Sequence, residues 1–157
     1  MRHDVGIGYY AATKNPDDSI KTYALGSCVA VVLYSASNGV VGMIHIALPE
    51  SQGHDEKASK LPGYFADTGL PLLWKKMTDL GTVKGRVTAK LVGGSQILDE
   101  NGTFDIGKRN VLASRKWLWT AGIGLMKEDT GGKSSRTVEA FPDGRVLVTS
   151  NRETVSL

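Results

Sequence analysis

The chain has 157 residues, 41% of them apolar and 22% charged, with nineteen Lys and Arg against sixteen Asp and Glu. That length and balance describe one globular domain, residues 1–157, whose core is large enough to dispense with disulfides and metals. A net charge of +3 without a basic stripe argues against nucleic-acid binding. The longest apolar run, Cys28 to Tyr34, is far too short for a membrane span. A single cysteine forms no internal disulfide and fits a reducing cytoplasm.

Val5 to Thr13 reads as a glycine-containing first strand rather than a secretory signal, since Asp4 stands early and Gly6 and Gly8 break the apolarity. A polar turn, NPDDS, leads to a short strand at Ile20–Leu25. Gly26 and Ser27 interrupt the pattern, and Val29 to Tyr34, β-branched and apolar, predicts a strand buried on both faces. Asn38-Gly39 is a hairpin signal, and Val40 to Leu48 returns as a strand that stops at Pro49. The polar stretch ESQGHDEKASK, residues 50–60, predicts an exposed loop.

The spacing of Leu70, Leu73, Trp74, Met77 and Leu80 predicts a helix over Tyr64–Leu80, with Pro71 in its first turn or kinking it. Val87 to Val92 reads as a strand running into Gly93-Gly94. Lys108 to Ala121 predicts a second amphipathic helix, with Val111, Leu112, Arg115, Leu118 and Trp119 inward and Gly122 closing it. Strands at Thr137–Phe141 and Arg145–Thr149 flank a Pro-Asp-Gly turn. The order is not a βαβ alternation. The expected fold is therefore α/β, a layered sandwich of mixed or antiparallel sheets with two main amphipathic helices.

A lone cysteine is usually a small buried hydrophobe, and a lone strand histidine usually a packing residue. Their placement here suggests more. A two-residue hairpin at Asn38-Gly39 sets Ser37 opposite Val40 and His45 opposite Val32, so Cys28 and His45 share one sheet face. That register leaves them four residues apart along the strand, roughly 13 Å, a gap that a bulge or bend at residues 26–28 would have to close. Chemically, an imidazole can take the thiol proton, the thiolate can attack a carbonyl carbon, and the imidazolium can protonate the leaving nitrogen. Thr22, six residues before the cysteine, is a candidate to orient the ring. The unencumbered backbone at Gly26 and Ser27 offers N–H groups for an oxyanion, although Gly-Ser also makes ordinary turns.

The motifs LGSCV and HIALP, with seventeen residues from Cys28 to His45, resemble the CheD family of chemoreceptor glutamine deamidases. Further along, YFADTGLPLLWKKM, KLVGGSQIL, IGKRNVLASRKWLWTAGI and EDTGGKSSRTVEAF resemble family segments in the same order, so the likeness runs from about Val5 to Val148. It implies a protein-glutamine deamidase whose catalytic cysteine, histidine and threonine correspond to Cys28, His45 and Thr22. It also implies the helical cytoplasmic part of a chemoreceptor as substrate, methylesterase activity in some systems, and a CheC-type phosphatase as partner. The chain departs from the family pattern at Gly69, where alanine is expected, and at Ser135, where glycine commonly precedes the arginine. An internal Gly69 would cost about 1 kcal/mol of helix propensity, and Ser135 would be strained if a positive φ were needed there.

Other motifs take plainer readings. His3 and His54 lack metal-ligand spacing with each other or with Cys28, so no metal is expected. No phosphate-binding pattern surrounds Gly93-Gly94, and no cofactor is expected. Trp74, Trp117 and Trp119 read as packing residues. A competing reading is a regulatory binding module for the phosphatase with catalysis secondary or absent. A thiol hydrolase or transglutaminase-like enzyme on another substrate is a third.

Overall fold

A computed structural model describes residues 1–96 and 105–157 as ten strands and three α-helices in two packed sheets. The end of the KLVGGSQIL segment, at Ile97 and Leu98, lies outside the described residues. The first sheet has the order β1 (Arg2–Asp4), β3 (Ser19–Leu25), β8 (Arg136–Ala140), β9 (Val146–Ser150) and β10 (Glu153–Ser156). The second runs β2 (Tyr10–Thr13), β5 (Val40–Ile46), β4 (Val29–Ser35), β6 (Thr88–Gly93) and β7 (Gly124–Thr130). Only β1–β3 and β6–β7 pair in parallel, so the α/β sandwich of mixed and antiparallel sheets expected from sequence is what forms.

Two apolar layers hold it. Ile20, Val138, Ala140, Val146 and Val148 of the first sheet meet Ala30, Val32, Val41, Met43 and Val92 of the second. On the second sheet's outer face, Val29, Val31, Leu33, Ile44 and Ile46 pack under α2 (Ala66–Asp79) and α3 (Ile106–Ala121). β4 is thus covered on both sides, as its unbroken apolar run predicts.

Several expectations need correction. The first strand is split: β1 joins the first sheet and β2 the second, with Val5 to Tyr9 crossing between them. The hairpin is wider than two residues. Ser35 faces Val40 across a loop of residues 36–39, closed by Gly39 N–H donating to the Ser35 carbonyl at 2.9 Å. Residues 55–60 form a short helix, α1 (Asp55–Lys60), where a loop was expected, and a 3-10 turn at Pro62–Tyr64 precedes α2. Pro71 is the sixth residue of α2, past its first turn. β1, β7 and β10 have too little apolar alternation to have been foreseen.

The inward face of α3 also differs. Gly107, Asn110, Val111, Ser114 and Leu118 are buried, whereas Leu112 and Trp119 are exposed and Arg115 is turned to the surface. The buried stripe is small and polar, so ranking positions by hydrophobicity selects the wrong edge of the helix.

Both departures from the family pattern have structural accounts. Ser135 is not among the residues with positive φ, so serine needs no strained backbone there. Gly69 is internal and buried, and a Cβ on it would stand 2.7 Å from Ile44 Cδ1 and 3.0 Å from the Gly63 Cα. Close approach of α2 to the 3-10 turn, not helix propensity, governs this position. Gly69→Ala is therefore expected to lose about 1 kcal/mol net, because overpacking costs roughly 1–3 kcal/mol against a propensity gain of about 1. Urea unfolding checks the sign; a raised midpoint would show the contact to be slack.

Candidate active site

The register that replaces the tight hairpin brings the candidate residues closer. His45 lies opposite Ala30 rather than Val32, so Cys28, immediately before β4, is its diagonal neighbour. Diagonal neighbours on one face are about 7–8 Å apart at Cα, within range of a thiol and an imidazole leaning together. The shift is two residues, an even number, so the shared face inferred from sequence survives. Cys28 is half-buried against the layer between the sheets, and His45 is only 3% exposed.

Thr22 reaches His45 from the opposite sheet. Its Oγ1 lies 2.7 Å from His45 Nδ1 and 2.6 Å from the Val5 carbonyl oxygen, and the residue is fully buried. These two contacts fix the protons. A carbonyl can only accept, so the single hydroxyl hydrogen of Thr22 goes to Val5, and Oγ1 must accept from Nδ1–H. The neutral imidazole then carries its lone pair on Nε2. That atom is buried and has no hydrogen-bond partner. Burial lowers the imidazole pKa to about 4 and raises that of the Cys28 thiol, so the resting pair is neutral thiol and neutral imidazole. The Cys28 backbone N–H partly offsets the rise by hydrogen bonding to the sulfur.

Val5 to Tyr9 encloses the histidine. Gly8 N–H donates to the His45 carbonyl at 2.8 Å, and His45 N–H donates to the Tyr9 carbonyl at 3.1 Å. Ile7 and Tyr9 stay exposed at this rim.

Residues 26–28 form the corner where the chain passes from the first sheet to the second. Their carbonyls each have a donor: Ser95 N–H on Gly26 at 2.8 Å, Asn110 Nδ2 on Ser27 at 2.9 Å, and Gly94 N–H on Cys28 at 2.9 Å. The N–H groups of Gly26 and Ser27 donate to no acceptor among the described residues. The bend needs Gly93: its φ is +113°, and a Cβ there would stand 2.4 Å from the Cys28 carbonyl oxygen.

Three residues that the sequence reading passed over support this corner. Asn110 and Ser95 are fully buried and bind its carbonyls. Arg136, nearly buried, donates through Nη1 to Ser95 Oγ at 2.9 Å and the Gly131 carbonyl at 2.8 Å, and pairs through Nη2 with Asp129 at 3.2 Å. Asn110 and Arg136 lie inside family-like motifs, but polar residues give no hydrophobic period to mark them as buried. Among the described residues no group of three or more His, Cys, Asp or Glu side chains is placed to hold a metal ion.

The molecule is a mixed α/β sandwich with its single thiol on the same sheet face as an imidazole of fixed tautomer, the two groups that thiol–imidazole chemistry uses. The family model "CheD chemotactic sensory transduction" matches residues 47–150, more than half of the chain, beginning just beyond His45. A Syntrophotalea carbinolica protein named "Probable chemoreceptor glutamine deamidase CheD" is 49% identical over 88% of this chain and 87% of its own. One from Syntrophus aciditrophicus, "Probable chemoreceptor glutamine deamidase CheD 1", is 40% identical over 94% of this chain and 92% of its own. A crystal structure of a Neisseria meningitidis protein of the DUF152 family model aligns with a TM-score of 0.47 at 11% identity, covering 78% of this chain and 53% of that one. The chain belongs to the CheD family.

The buried imidazole has a consequence for stability. With the folded pKa near 4 and the ordinary value near 6.5, the unfolded chain binds the extra proton between these pH values. Stability therefore falls as pH drops from about 6.5 to about 4, and His45 adds no pH dependence above that window. Asp18, held well below the usual carboxylate range by His3, Thr13 and the Met1 amino group, loses its contribution mainly at lower pH. Urea midpoints measured across pH 4–6.5 should fall less steeply for His45→Gln than for the wild type. Equal slopes would place the ring in water. Separately, Thr22→Val leaves Nδ1–H and the Val5 carbonyl unpaired and should cost about 1–3 kcal/mol in the same assay, with Thr22→Ser much milder.

Proposed function

We propose that this protein is a chemoreceptor glutamine deamidase acting in the cytoplasm as one catalytic domain over residues 1–157, with Cys28 as nucleophile, His45 as base and acid, and Thr22 as the group that orients the ring. The observation that carries this reading is the unpartnered, unprotonated His45 Nε2 on the sheet face shared with Cys28, with Nδ1–H committed to Thr22. Family membership and the relatives' names support the substrate: a glutamine side chain on the helical cytoplasmic part of a chemoreceptor.

Nε2 takes the thiol proton as sulfur attacks the carboxamide carbon, and the oxyanion is met by N–H groups of the corner at Gly26, Ser27 and Cys28. Collapse breaks the C–N bond, the Nε2 proton leaves with the nitrogen as ammonia, and a thioester remains. Water then gives a proton to Nε2 and its oxygen to the acyl carbon. Sulfur departs and recovers the proton. The net change is glutamine plus water to glutamate plus ammonia. A neutral resting pair suits this cycle, because the charged forms appear only as the substrate reacts. The same thiolate would also cleave a glutamate methyl ester.

A second reading is a binding role toward a CheC-type phosphatase. It is favoured by the apolar side chains left exposed on the outer edge of α3, Leu112 at 49% and Trp119 at 87%.

The test is intact-mass analysis of a chemoreceptor cytoplasmic fragment incubated with the wild type or with Cys28→Ala. A gain of about one mass unit per modified glutamine, seen with the wild type alone, is expected. No gain with a matched receptor, while phosphatase binding persists in both proteins, would transfer the function to the binding role.

A further inference from the structure

The Asn110 side chain joins the two strands that carry the thiol and the imidazole. It lies on the buried face of α3, and its Nδ2 donates to the Ser27 carbonyl at 2.9 Å and the Ala47 carbonyl at 3.0 Å. Ser27 immediately precedes Cys28, and Ala47 stands two residues after His45. Extending the β4–β5 register makes Cys28 and Ala47 cross-strand partners, so one amide group closes the end of the ladder where the candidate pair sits. Both neighbours are carbonyls, which fixes the orientation of the amide: NH2 faces them and Oδ1 faces away. Oδ1 is buried with no partner. Packing alone would be served better by an apolar side chain, since a buried acceptor left open is costly.

The geometry has a further effect. A trans peptide unit is planar, with its C=O and N–H pointing in opposite directions. Holding the Ser27 carbonyl therefore aims the N–H of Cys28, which belongs to the same peptide. That N–H is the backbone group that offsets part of the burial-driven rise in the Cys28 thiol pKa, and it is one of the donors assigned above to the oxyanion.

We infer that Asn110 is a positioning residue for the Cys28–His45 pair: through the Ser27 and Ala47 carbonyls it fixes the peptide whose N–H faces the thiolate and sets the spacing of the two strands. The inference rests on the proposed roles of Cys28 and His45, and its test has a readout that requires no receptor substrate.

That readout is the pH profile of Cys28 alkylation by iodoacetamide, measured on wild type, Asn110→Leu, Asn110→Ser and Ser114→Ala. Leucine keeps the volume without donors, and serine keeps one short donor. Ser114, buried on the same helix face with its Oγ unpartnered, controls for general loss of a buried polar atom. The midpoint should rise by about one pH unit in Asn110→Leu, less in Asn110→Ser, and stay in place in Ser114→Ala. Where the receptor fragment is deamidated, kcat should fall roughly 10- to 100-fold in Asn110→Leu, with KM within about twofold. Folding of each variant is checked by circular dichroism; should Asn110→Leu not fold, Asn110→Ser carries the comparison. An unmoved midpoint in a folded Asn110 variant overturns the inference, as does an equal shift in Ser114→Ala. Absence of deamidation by the wild type would defeat the functional reading and leave the alkylation result to decide this one.

Discussion

The arrangement depends most on one hydrogen bond, from His45 Nδ1–H to Thr22 Oγ1, because it crosses the apolar layer between the two sheets and fixes the ring of one against the other. Apolar layers tolerate small slips, whereas a 2.7 Å contact does not. The bond also needs somewhere for the threonine proton to go, and that place is the Val5 carbonyl. The split of the first strand follows from this need. Val5 extends the β1–β3 pairing, its N–H donating to the Lys21 carbonyl at 2.8 Å, while its own carbonyl takes the Thr22 proton just before the chain crosses to the second sheet. Two crossings from the first sheet to the second, after Asp4 and after Leu25, thus place the acceptor of the threonine proton and the thiol.

Burial keeps the thiol and the imidazole of the candidate site uncharged. No carboxylate backs the imidazole; a hydroxyl does, which orients the ring without stabilising its charged form as an aspartate would. The nearby cation, Arg136, meets the Ser95 hydroxyl, the Gly131 carbonyl and the Asp129 carboxylate. Its charge is compensated where it lies, and it serves to tie β8 to the ends of β6 and β7 behind the corner. No helix among the described residues is long and apolar enough to cross a membrane.

The sequence made the broad plan legible wherever hydrophobic pattern governs. The doubly buried β4, the return strand β5 and the two large helices follow from runs and periods of apolar residues. The pairing of Cys28 and His45 on one face was also accessible, because parity survives a register shift of two residues. Their offset along the strands was not. It depends on whether the loop before Val40 has two residues or four, a choice that Asn38-Gly39 leaves open. Gly69 shows the same limit for α2: propensity scores an isolated helix, but Ile44 and Gly63 decide what fits there.

The misread face of α3 shows where hydrophobic pattern has to fail. Backbone that turns a corner between sheets leaves its carbonyls without ladder partners, and buried carbonyls require donors. A helix packed on that corner must therefore present polar side chains where a purely structural helix would present leucine. Asn110 meets the requirement directly, and it can do so only because α3 turns Leu112 and Trp119 outward to bring Gly107, Asn110 and Ser114 inward. The helix gives up apolar burial at its inner face to hold an irregular segment of backbone in place. Local rules and the fold disagree on α3 at the point where the chain positions its single thiol.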